Sequence, residues 1–309
     1  MKKQIVPTTE QLYSWIKQFI PEKDLFFVKS NHLLRLERHL TDVLVVPKDE
    51  FFKHPSYSQI EYINSYLYWT VSEDVEYVIV AQPNWIVNLP EVKRKELLSV
   101  QLQFTAGLTF IPAVFPSQET VVEHYSVSSD TLHEYVKSFA PSEDGQFVVL
   151  RHQMWKELSD EVKLKAIKMY AQLWGDWTVY DFPKETPPHI RKYGNSFTTI
   201  SGSNCFAATL FAITGVEWIL QEWVHPETLL TGLAKVGYVR TDDQNLENGD
   251  VITWVNDDNV VVHAAYHISH HLLFNKNGQV FFEPWGIVKF EDVQSLFPED
   301  QFVLYRKRE

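Results

Sequence analysis

Leu12, Trp15, Ile16 and Phe19 recur at three- and four-residue spacing behind Thr8 and Thr9. That stripe predicts a short capped amphipathic helix over 9–20. Short apolar runs at Leu25–Val28, Val43–Val46 and Tyr77–Ala81 read as buried strands, and 58–69, 91–104 and 161–174 read as helices, the last ending near Gly175. The first 180 residues are therefore mixed α and β, with no motif that ties them to a chemistry. One internal echo stands out. Trp85 followed by Leu89-Pro90-Glu91-Val92-Lys93 resembles Trp155 followed by Leu158-Ser159-Asp160-Glu161-Val162-Lys163. Acidic residues favour helix starts in general, so ordinary helix-start chemistry accounts for the likeness; a duplicated substructure is the other reading.

The run Asp181-Phe182-Pro183-Lys184-Glu185-Thr186-Pro187-Pro188 breaks regular structure. It sets an expected boundary between a mixed α/β domain over 1–185 and a second domain over 186–309. In the second, Asn204 to Thr214 is an apolar stretch of helix length, preceded by Gly202-Ser203-Asn204 and closed by Gly215. A helix over 226–235 follows. The turn Leu246-Glu247-Asn248-Gly249-Asp250 leads into a strand over Val251–Val255. Asp257-Asp258-Asn259 turns into a strand over Val260–Ile268, and short strands follow at Leu272–Phe274 and Gln279–Glu283. Helices followed by a run of antiparallel strands make this domain α+β.

Composition narrows the setting. Apolar residues are 45% of the 309 residues and aromatic residues 14%, which describes a folding chain with ample core. The formal net charge is -12, so nucleic acid and anionic membranes repel the protein at long range and neither is expected as a partner. The single cysteine rules out an intramolecular disulfide and fits a reducing compartment. Met1-Lys2-Lys3-Gln4-Ile5-Val6-Pro7 has a positive start with no apolar stretch behind it, and no 18-residue apolar run occurs. The expected location is the cytoplasm.

That cysteine, Cys205, falls in the first turn of the apolar helix. Unpaired N–H groups and the positive end of the helix dipole favour a thiolate there, and the N–H of Cys205 itself can meet a developing oxyanion. His263 lies in the strand Val260–Ile268, where alternation puts Val261, His263 and Ala265 on one face. An imidazole among valines and alanines is desolvated and needs a partner. A nucleophile at a helix start, a base on a later strand and a polar group that orients the base follow the general logic of a triad. Asn275, His270 and His271 are the candidates for the third place.

These residues carry a resemblance. Asn204-Cys205-Phe206-Ala207, then Gly249-Asp250-Val251-Ile252-Thr253-Trp254, then His263-Ala264-Ala265-Tyr266-His267 look like the NlpC-type branch of the papain-like cysteine peptidases. That family has Asp-Cys-Ser-Gly at a helix start, Gly-Asp before an apolar strand and His-Val-Gly-Ile-Tyr on the next. Asn204, Phe206 and Ala207 depart from the first motif, beside the nucleophile where the substrate pocket is shaped. The resemblance covers roughly residues 188–285. It implies a papain-like domain whose cysteine-bearing helix packs on an antiparallel sheet. It also implies Cys205 as nucleophile, His263 as base, and Asn275, twelve positions beyond, as the third member. Tyr193, twelve positions before Cys205, and Asn204 are implied at the substrate and oxyanion side. The implied reaction is cysteine peptidase or amidase chemistry on a peptide or small amide, such as a peptide of bacterial cell walls or another isopeptide, with no cofactor and no metal.

Two rivals remain. One is a module that binds on the same fold without catalysis. The other is a metal site built from His263, His267, His270 and His271, set against it because positions around a strand end converge poorly.

Overall fold

The structure is a computed structural model that describes residues 1–60, 62, 71–105, 107–115, 118–139, 145–243 and 245–308. It is mixed α and β with antiparallel sheets. The chain divides into two compact units, Trp15–Leu173 and the combination of Met1–Ser14 with Trp174–Glu309. This differs from the boundary expected at 185/186. The Pro-rich run is an internal loop of the second unit: Thr186 Oγ1 donates to Pro183 O at 2.8 Å, and Arg191 Nε donates to Thr186 O at 3.1 Å. The opening segment belongs to the second unit through β1 (Lys2–Gln4), and α1 (Thr9–Gln18) follows it.

The unit over 15–173 holds two three-stranded antiparallel sheets. The first contains β2 (Asp24–Val28), β3 (Leu44–Pro47) and β4 (Tyr77–Ala81), and the helices α2 (Ser30–Leu36) and α3 (Lys48–Lys53) lie between its strands in sequence. Then come α4 (Pro83–Asn88) and α5 (Glu91–Phe104). The second sheet contains β5 (Thr109–Phe110), β6 (Ser126–Val127) and β7 (Phe147–Val149), with α6 (Glu119–Tyr125) and α7 (Glu134–Phe139). It is followed by α8 (His152–Glu157) and α9 (Asp160–Trp174). In both sheets the third strand lies in the middle. Both then continue into a short helix carrying a buried tryptophan and a long helix with an acidic first turn. The two indoles even do the same work: Trp85 Nε1 donates to His39 O at 2.9 Å and Trp155 Nε1 to Ile16 O at 3.1 Å. The sequence echo is thus part of a repeated topology. The helix expected over 58–69 lies largely outside the described residues.

In the other unit, β8 (Thr178–Tyr180) pairs with β1. Three helices follow: α10 (Pro188–Tyr193), α11 (Cys205–Thr214) and α12 (Pro226–Lys235). A six-stranded antiparallel sheet comprises β9 (Tyr238–Thr241), β10 (Val251–Val255), β11 (Val261–Ser269), β12 (Leu272–Asn275), β13 (Gly286–Lys289) and β14 (Gln301–Lys307), in the order β13-β12-β11-β10-β14-β9. A short helix, α13 (Phe290–Gln294), follows β13. Burial of both faces explains why β10 reads as an uninterrupted apolar run. On one face, Val251 and Ala264 pack against Cys205, Phe206 and Leu210 of α11. On the other, Ile252, Trp254 and Ala265 pack with Val293 and Phe297.

Two expectations need correcting. A bulge opposite Trp254 and Val255 breaks the alternation of β11. Val261 therefore packs in the Cys205 cluster, whereas Ala265 packs with Trp254. The strand expected at Gln279–Glu283 is instead a buried loop. Its carbonyls are met by side chains rather than by a neighbouring strand: Lys276 Nζ donates to Val280 O and Glu283 O, both at 2.7 Å, and Trp177 Nε1 donates to Phe282 O at 3.1 Å.

Candidate active site

Asn204 caps α11. Its Oδ1 accepts the N–H of Ala207 at 3.0 Å and that of Val224 at 3.4 Å, and its Nδ2 donates to Val224 O at 2.7 Å. The amide is thereby committed to the cap and to the 224 loop, and the expected substrate-side role has no free atom to serve it. The cap makes Cys205 the first residue of α11.

Cys205 is a buried residue, 6% exposed. Burial pushes its thiol up to about 12, against the pull of the backbone N–H groups of Ala264, Phe206 and Cys205 itself and of the Lys276 charge. The helix start therefore does aim N–H groups at the sulfur, but dehydration outweighs them and the resting group is a thiol. The N–H of Ala264 comes from the residue directly after His263.

The His263 imidazole is buried on the face of β11 that it shares with Trp254. Its ring stacks on Phe297 at 4.7 Å between centroids and lies 5.4 Å from Trp254. Nε2 sits 2.8 Å from Asn275 Oδ1. Asn275 Nδ2 donates to Asn277 Oδ1 at 2.6 Å, which turns the amide oxygen toward the ring. An oxygen acceptor there places the ring proton on Nε2 and leaves the Nδ1 lone pair free. Burial among aromatics holds His263 down at about 4, with the Asn275 bond pulling the other way. The imidazole is accordingly neutral at pH 7, as a base must be. The ring also faces away from the thiol: His263 lies with Trp254 and Phe297 on one face of the sheet, whereas Cys205 packs with Val251, Val261 and Ala264 on the other, so the expected nucleophile and base are not brought together.

Of the other two candidates for the third place, His271 Nδ1 pairs with Glu291 Oε1 at 2.9 Å in an exposed contact. His270 occupies a turn at φ 53°, where its carbonyl faces His267 Nε2. Tyr193 also lies elsewhere. Its hydroxyl donates to Glu217 Oε2 at 2.7 Å, just beyond the C-terminal end of α11. The hydroxyl is thus committed to the Glu217 carboxylate rather than aimed at an oxyanion beside Cys205. The histidine-rich metal site fails as well: among the described residues no group of three or more His, Cys, Asp or Glu is placed to hold an ion. Both His267 nitrogens face carbonyl oxygens, Glu247 O and His270 O.

Gly249-Asp250 proves to be a structural anchor. Asp250 is buried and takes two N–H groups of Arg306, at 2.9 and 2.8 Å, plus the N–H of Glu247 at 2.8 Å. Sequence reasoning also missed Lys276 and the Phe297 stack. Lys276 sits inside Asn275-Lys276-Asn277-Gly278, which reads as an ordinary solvated turn, and nothing in sequence ties Phe297 to His263.

A cleft of about 270 Å³ is lined by Asn277, Asp176, Lys2, Val288 and Asp292, and neither Cys205 nor His263 lines it. A larger one, about 710 Å³, lies in the 15–173 unit around Lys95, Glu96 and Glu123 and holds none of these residues. Compared with protein-family models, with curated proteins and with solved structures, the chain matches none. No helix of the described residues is long and apolar enough to cross a membrane.

Proposed function

We propose that the unit carrying α11 and the six-stranded sheet is a non-catalytic binding module on a papain-like, NlpC-type fold, acting in the cytoplasm on a peptide or small amide, of cell-wall or isopeptide type, without cofactor. One observation carries the reading. The Cys205 thiol is buried and pushed up to about 12, and His263 lies with Asn275 on the opposite face of the sheet.

A general base must reach the proton it takes, and a strand stands between this thiol and this imidazole. A panel of fluorogenic peptide and isopeptide amides tests the reading: neither wild type nor Cys205→Ala turns them over, and turnover that Cys205→Ala abolishes refutes the proposal.

One observation favours a second reading, a thiol hydrolase. Cys205 is the first residue of a capped helix whose backbone N–H groups draw the thiol toward its ionised form. Rapid alkylation of Cys205 at neutral pH would support it.

A further inference from the structure

The turn at Gly249-Asp250 and the last turn of α11 frame a cleft of about 600 Å³, and neither Cys205 nor His263 lines it. Ala212 and Ile213 of α11, with Pro187, give it an apolar wall. A concavity of this size, apolar with a few polar groups, is the usual form of a small-ligand site.

Two phenols line the cleft and are used differently. Tyr238 spends its hydroxyl on the backbone, donating to Gly249 O at 2.9 Å. Tyr266 stands on the α11 face of β11, its ring packed against two apolar clusters, one around Cys205 and one around Phe211. Its hydroxyl has no hydrogen-bond partner among the described residues. A Cβ at Gly249 would already stand 3.8 Å from that oxygen, so the glycine, which a φ of 96° also favours, keeps the approach open. Burial raises the Tyr266 phenol above its ordinary value, so at neutral pH it is an O–H donor.

His189 supplies an acceptor. Its Nε2 lies 2.8 Å from Ala212 O, and a carbonyl only accepts. The neutral ring then carries its lone pair on Nδ1, which has no partner among the described residues. Charge at the rim is equally uneven. Arg306 spends all its N–H groups on Asp250, Asp243, Glu247 and Asn245 O. Lys307, next along β14, is exposed and forms no ion pair among the described residues.

Resting on the binding-module reading, we propose that this cleft is where the module takes its ligand, and that the ligand is the carboxyl end of a peptide or an N-acylated amino acid. A peptide group offers one acceptor and one donor, the complement of one phenol and one imidazole lone pair. Tyr266 donates to the amide carbonyl, and His189 Nδ1 accepts the amide N–H. The ligand side chain lies on Ala212 and Ile213, and its carboxylate meets Lys307.

N-acetyl-leucine carries all of these groups. Titrated into the ¹⁵N-labelled full chain, it is expected to move the amide resonances of Gly249, Ala212 and Ile213 along saturable curves. Tyr266→Phe keeps the ring and removes a hydroxyl without an internal partner; it is expected to raise the dissociation constant about fivefold. The ester analogue 2-acetoxy-4-methylpentanoate, which lacks the N–H, should bind wild type about fivefold more weakly than N-acetyl-leucine. N-acetyl-leucinamide, which lacks the carboxylate, should bind about threefold more weakly. No saturable shift at those amides, or equal constants for wild type and Tyr266→Phe, overturns the proposal. Should Tyr266→Phe fail to fold, the ester decides: binding as tight as that of N-acetyl-leucine overturns it. Saturation of amides elsewhere in the unit removes this cleft and keeps the binding module. Binding here together with turnover of amides that Cys205→Ala abolishes removes the non-catalytic reading and keeps the cleft.

Discussion

His263 Nε2 and Asn275 Oδ1 lie 2.8 Å apart, joined across twelve residues by the hairpin of β11 and β12. The bond fixes which ring nitrogen carries the proton. Asn275→Ala is expected to mix the two neutral tautomers in ¹⁵N spectra. A single unchanged tautomer in the variant would show that Asn275 does not orient the ring.

The depressed His263 titration has a consequence for stability. The folded imidazole binds a proton only near pH 4, whereas the unfolded one does so near 6.5. Its contribution is therefore fully present above about pH 6.5, declines as pH falls, and is lost by about pH 4, for a few kcal/mol in all. Urea midpoints measured from pH 7 to 4 should fall more steeply for wild type than for His263→Gln. Parallel curves would mean the imidazole is not buried as described.

Arg306 neutralises the buried Asp250 carboxylate through two N–H bonds. Arg306→Met strands that charge and should cost about 3 kcal/mol, read as a lower melting temperature. Asp250→Asn with Arg306→Met should recover part of the loss. An unchanged melting temperature in the single variant would contradict the anchor role assigned here.

Asn204→Ala removes the α11 cap and both links to Val224. Loss of the cap alone costs about 1 kcal/mol. Asn204→Asp keeps the cap but places a carboxylate against Val224 O, so it should recover only part of the stability in chemical denaturation. A fully stable Asn204→Ala variant would sink the account of the helix start.

Much of this was legible along the chain because the local rules agree with the fold. The stripe of α1, the acidic start of α5 and the Asn-Cys start of α11 each announce themselves through spacing and caps. The His263–Asn275 bond was legible as well, through residue type and position, but the pairing of His263 with Cys205 was not, because the two face opposite sides of the sheet. What escaped depends on contacts distant in sequence. The apolar run Val280-Phe281-Phe282 looks like a strand, but its hydrogen bonds go to Lys276 and Trp177. The β11 bulge shows no glycine or proline to announce it. Tyr193 stands at a plausible sequence distance from Cys205, yet it ends α10 and spends its hydroxyl on Glu217. The ionisation of Cys205 was misread from the helix start alone, because dehydration is set by the whole cluster around the sulfur.

The central claim is that the sheet holds Cys205 and His263 on opposite faces and leaves the thiol without a base. An activated ester such as p-nitrophenyl acetate tests it most directly, with rapid mixing and intact mass. The account predicts no burst of nitrophenolate and no acetyl group on Cys205. A burst of one equivalent with the acetyl group on Cys205, absent in Cys205→Ala and slowed in His263→Ala, would contradict it.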